Sequence, residues 1–133
     1  MSRRSDQRRA AVFALYQNDV TGRELDDLFE RDASTFTPAL AYAAQDYGED
    51  LDGRIERHAH GWTLDRIAPL ERNILRVALL ELVHADLVAD GEPIPAEAAI
   101  DEAVETAKEL CSTGAPSFLN GILGAVQREA ATP

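Results

Sequence analysis

Apolar residues in this chain recur at steps of three and four, and no segment alternates apolar and polar over a useful length. A half-buried strand needs period-two alternation and an amphipathic helix needs a period near 3.6, so the pattern predicts an all-α fold with no sheet. Val12, Leu15 and Tyr16 define a first helix, closed by Thr21-Gly22. A weaker one is expected over Glu24–Arg31, with Leu25, Leu28 and Phe29 on one side. Thr37-Pro38 reads as a cap followed by a first-turn proline, opening a helix to about Tyr47. Another is expected from about Glu49 to His60, with Leu51, Ile55 and Ala59 at four-residue steps.

The second half is more regular. Pro69 opens a helix whose Ile74, Leu75, Ala78, Leu79 and Leu82 make a stripe wide enough to face a core. Asp90-Gly91-Glu92-Pro93 reads as a loop. Ala96, Ala99, Ile100, Ala103, Val104, Ala107 and Leu110 then give the cleanest helix. Ser112-Thr113-Gly114-Ala115-Pro116 breaks it, and Phe118, Leu119, Ile122, Leu123 and Val126 line the last one.

At 133 residues and 45% apolar content, the chain is expected to form a single domain over 1–133 with its own core. Its one cysteine, Cys111, has no partner for an internal disulfide, which suits a reducing cytoplasm. No run approaches the ~18–20 apolar residues of a membrane span. Arg3-Arg4 ahead of Ala10–Tyr16 loosely imitates an export signal, but Gln17, Asn18 and Asp19 cut the apolar run short.

Charge distribution says more than its sum. The net charge is −11, yet Arg3, Arg4, Arg8 and Arg9 against Asp6 give residues 1–9 a local +3, leaving −14 for residues 10–133. An acidic body with a short basic arm does not coat nucleic acid indiscriminately; it can hold RNA at one edge and a basic protein elsewhere. The arm alone reads either as a solubilising terminus or as an RNA contact. In favour of RNA, it leads straight into a helix that carries Tyr16, and arginine with an aromatic supplies phosphate pairing and base stacking. Glu97, Asp101 and Glu105, with Glu102 and Glu109 nearby, form an acidic face that is either solvated or meets a basic partner.

Nothing in the sequence specifies an active site, a metal centre or a cofactor. Glu81-x-x-His84 has ligand spacing, but a carboxylate-bridged di-metal bundle needs two such motifs and two further glutamates. His58 and His60 would point about 200° apart on a helix. Cys111 has no nearby histidine or Cys-x-x-Cys partner, and no glycine-rich phosphate loop, nucleophile elbow or His-Glu-x-x-His occurs.

Four stretches in order resemble the NusB family. They are Arg4…Arg8…Ala11-Val12-Phe13-Ala14-Leu15-Tyr16; Trp62…Arg66-Ile67…Leu70-Glu71-Arg72-Asn73-Ile74-Leu75-Arg76-Val77-Ala78-Leu79…Glu81-Leu82; Ile94-Pro95…Ala99–Lys108; and Ser117-Phe118-Leu119-Asn120-Gly121-Ile122-Leu123. The likeness spans nearly the whole chain and is weakest over residues 23–50. It implies two small helical bundles packed into one domain, and a transcription antitermination factor without catalytic activity. Such a factor binds the single-stranded boxA element of ribosomal RNA transcripts with the ribosomal protein NusE, within the RNA polymerase antitermination complex. By position, the resemblance assigns Arg4 and Arg8, with their neighbours Arg3 and Arg9, and Tyr16 to RNA. Phe118 and Asn120 fall beside the RNA surface, and Glu71 faces NusE. Ser5 and Asp6 stand where the family often has further arginines, Ser117 where a basic or small residue is common, and the loop from Asp86 to Pro93 is longer than usual.

Other readings remain at this point. The same module occurs fused to RNA cytosine methyltransferases, so the chain could be a detached domain of one, although these 133 residues hold no α/β cofactor domain. A member acting only in protein interaction or ribosome assembly is a further reading, and a homodimer in the partner's absence stays open.

Overall fold

The computed structural model describes residues 3–88 and 93–131. Six α-helices follow one another among them: α1 (Arg4–Thr21), α2 (Phe36–Asp46), α3 (Gly48–His58), α4 (Pro69–Val83), α5 (Ala96–Leu110) and α6 (Ala115–Ala131). Single 3-10 turns at Leu25–Asp27, Leu64–Arg66 and Ala85–Leu87 join them, and no strand occurs among the described residues. Proline falls in the first turn of α2, α4 and α6, where its missing amide leaves no helical bond unmade. Gly22 ends α1 in the left-handed conformation (φ 74°), its N–H donating to Asn18 O at 2.9 Å.

Helix α4 is the hub. It packs on each of the other five helices, and Ile74, Leu75, Val77, Ala78, Leu79 and Leu80 are all buried. A helix apolar around most of its circumference belongs at the centre rather than on the surface. Helix α1 packs on α2 and α4, α3 on α2, α4 and α6, and α5 and α6 on each other, with a single core running through all six. Ala99, Ala103 and Ala107 keep α5 thin where it lies between α4 and α6, while Leu119, Ile122, Leu123 and Val126 seal α6.

Three sequence expectations are corrected. Glu24–Arg31 is not a helix but one 3-10 turn, Leu25–Asp27. Leu25 drops into the core and Phe29 meets Tyr42 edge-on (centroids 5.6 Å), so one tight turn satisfies the apolar spacing of a segment too short to hold a helix by itself. Thr37 does not cap α2: the helix begins at Phe36, and Thr37 is buried with its hydroxyl donating to Gln7 O (3.1 Å). Helix α3 stops at His58, because the chain turns at Gly61 (φ 82°). Of the expected loop, Asp90, Gly91 and Glu92 lie outside the described residues, as do Met1 and Ser2 of the basic segment.

Candidate nucleic-acid and partner interface

The basic segment is helical from Arg4 onward, and much of its charge is turned inward. Arg8 is buried (9% exposed), and its Nε donates to Oε1 of buried Glu81 on α4 at 2.7 Å. Arg9, half-buried, pairs through Nη1 with Glu109 of α5, a bond that keeps the guanidinium charged and holds the Glu109 carboxyl below its usual range. Ser5 donates its hydroxyl to Glu102 of α5 at 2.6 Å, so three residues of α1 are fastened to acids of α4 and α5. Arg4 stays exposed; it donates to Gln7 Oε1 (3.0 Å) and lies over the Phe36 ring at 4.1 Å, with Arg8 at 5.5 Å from the same ring. Arg3 is exposed at the residue preceding α1.

The basic segment expected to contact RNA, with Arg8 and Arg9 held by the helix, therefore has both of these arginines in ion pairs within the chain. The physical reason is the acidic body itself. Buried Glu81 faces the start of α1, and a buried carboxylate without a cation is costly, whereas exposed Glu109 makes only a surface pair with Arg9.

Glu81 and His84 also part company. Glu81 takes Arg8, while His84 Nε2 lies 2.8 Å from Asp50 Oδ2 and its ring stacks on Tyr47 (centroids 5.1 Å). Of the other histidine pair, His58 has Nε2 buried 3.1 Å from Glu129 Oε2, in contact but out of line for a hydrogen bond.

A second polar assembly fixes the start of α4. Arg72 holds Asp19 of α1 in a two-bond fork (Nε 2.7 Å, Nη2 2.9 Å) and also donates to Ile67 O. Fully buried Asn73 donates to Asp19 and to Pro69 O, and accepts from Arg76 Nη1. Arg76 forks onto Asp52 of α3 (2.7 and 3.1 Å). Every member is satisfied, which makes such a network rigid. Hydrogen bonding to Arg72 foremost holds the Asp19 carboxyl below its ordinary value.

This network decides what Glu71 can do. Its neighbour Arg72 is committed to Asp19, so Glu71, half-buried in the first turn of α4, has no hydrogen bond or ion pair among the described residues. Burial pushes its carboxyl up. Burial, and then the charge of Glu71, push the Cys111 thiol at the end of α5 up as well.

The remaining expected residues are spread over two helices. Tyr16 is half-buried on α1, two turns past Arg9. Phe118 is half-buried on α6 and meets Trp62 edge-on (centroids 6.1 Å, planes 65° apart); Asn120 is exposed. The structure joins Arg4 and Arg8 around Phe36, and Phe118 with Trp62. Sequence reading gave no role to Trp62 or Arg66, although a lone tryptophan four residues before an arginine was available as a signal.

The architecture defines a class: an all-helical module that carries an unpaired, half-buried acid and a half-exposed tryptophan. The sequence profile of the NusB family matches residues 5–128, and the chain belongs to that family. NusB of T. maritima superposes with a TM-score of 0.82 at 28% identity, covering 96% of this chain and 92% of that one. A chain from a crystal structure of antitermination factors NusB and NusE in complex with dsRNA gives a TM-score of 0.78 at 26% identity over 95% and 96%. The solution structure of NusB from Aquifex aeolicus gives 0.75 at 27% identity over 100% and 95%. Among the described residues, no helix is long and apolar enough to cross a membrane.

Proposed function

We propose that this chain is an RNA-binding transcription antitermination factor that takes up boxA of ribosomal RNA transcripts jointly with a NusE protein and presents both to RNA polymerase, without catalysing a reaction. The observation that carries the reading is end-to-end likeness to a protein solved with NusE and RNA, over 95% of this chain. Two features of the site support it. Glu71 stands unpaired at the start of a rigidly held helix, on a body of net charge −11, which suits a basic ribosomal protein. Exposed Arg3, Arg4 and Asn120, with half-buried Tyr16 and Phe118, offer cation, amide and aromatic contacts to RNA. Arg8 and Arg9 serve mainly to hold α1 in place.

The burial of Arg8 and the pairing of Arg9 favour one competing reading, a family member that binds protein but not RNA. Titrating boxA RNA with and without the cognate NusE separates the two. Tight RNA binding that requires both proteins is expected. Association with NusE while RNA stays unbound overturns the adaptor reading in favour of the protein-only one.

A further inference from the structure

Trp62 is the chain's only tryptophan, and half of its surface (50%) faces solvent. The turn that carries it is built for the purpose. Gly61 adopts φ 82°, strained for any residue with a Cβ, and the Trp62 N–H closes the turn onto Ala59 O at 2.8 Å. The indole is thus held out at a turn tip and steadied by Phe118, an edge contact that leaves ring face uncovered.

Its surroundings supply the other groups that single-stranded RNA uses. Arg66, four residues on, is exposed and forms no ion pair among the described residues, unlike Arg8, Arg9, Arg72 and Arg76. Hydrogen bonding from Thr63 foremost, then the charges of Arg66 and Arg72, hold the neighbouring Asp65 carboxyl below its usual range. Past Phe118 on α6 come exposed Asn120 and Gly121; a Cβ on Gly121 would meet nothing within 4 Å, so helix backbone lies bare next to Asn120, one turn from the Phe118 ring.

We propose that the indole face of Trp62, propped by the Phe118 ring, is the platform on which an unpaired RNA base stacks, with Arg66 on the adjoining phosphate. This rests on the RNA-binding reading above and adds to it a site that includes neither Arg8 nor Arg9. Base stacking on an aromatic ring suits single strands, because a duplex keeps its base faces covered.

The test uses the full chain in complex with NusE, a short single-stranded RNA carrying boxA, and tryptophan emission. Subtracting the signal of a Trp62→Phe complex isolates Trp62. Emission is expected to be quenched as RNA is added, and far less by a duplex of the same sequence. Trp62→Ala should weaken RNA binding by about fivefold or more. Arg66→Ala should weaken it too and reduce the salt slope by about 0.7. Helical content and NusE binding are expected to stay unchanged in both. RNA binding that leaves Trp62 emission untouched, equal quenching by duplex, or quenching by NusE with no further change on adding RNA overturns the platform and leaves the RNA-binding reading standing. Absence of RNA binding in any form overturns both.

Discussion

Replacing Arg8 with alanine decides whether the basic start of α1 is chiefly structural. Both members of the Arg8–Glu81 pair are buried, with side chains 11% and 7% exposed. Removing the guanidinium leaves the Glu81 carboxylate in the interior between α1, α4 and α5, a change that typically destabilises by about 3–5 kcal/mol. Against the usual 5–15 kcal/mol for a domain this is a large share. With a urea slope of about 2 kcal/mol/M, the midpoint followed by far-ultraviolet circular dichroism should fall by roughly 1.5–2.5 M. Arg9→Ala should fall far less, since Glu109 is solvated and needs no counter-ion. Joint replacement by Arg8→Met and Glu81→Leu should recover most of the loss, because apolar residues of similar volume can replace a buried pair. An Arg8→Ala protein with a near wild-type midpoint and weakened RNA affinity would refute this: Arg8 would then be an RNA ligand.

Two more outcomes follow from the start of α4. Asp19 titrates below its ordinary value when folded, so its tie to Arg72 stabilises at pH values above about 4 and is lost as pH falls through the lowered value; Asp19→Asn should lower the urea midpoint at pH 7 and narrow the gap to wild type near pH 2. Glu71 titrates above its ordinary value, so its ionised form opposes folding; Glu71→Gln should match or slightly exceed the wild-type melting temperature, while Glu71→Arg, still folded, should lose NusE in a pull-down.

What could be read from sequence followed the range of the interaction. The stripes of α4, α5 and α6 are local repeats, and Ile74, Leu75, Ala99, Ala103, Leu119 and Leu123 are buried as their spacing predicts. Leu25, Leu28 and Phe29 show the same spacing in and just after a single 3-10 turn, because tertiary contacts and not periodicity set the backbone there. The partners of the arginines were hidden for a different reason. Arg8 and Arg9 look like a free basic cluster until their partners are known, and Glu81 and Glu109 lie 73 and 100 residues away in the chain. Glu71 could be assigned by its place in the family motif, but its lack of a partner depends on Arg72 reaching Asp19, 53 residues back.

Those long separations have a consequence for synthesis. Translation produces α1 well before the acids that neutralise it, so for most of elongation Arg8 and Arg9 face water or whatever polyanion is at hand. A ribosome-bound intermediate lacking α5 would be a stickier, more RNA-prone species than the finished molecule. Completion of α4 would then cover Arg8 through Glu81, and completion of α5 would cover Arg9 through Glu109, as the core closes.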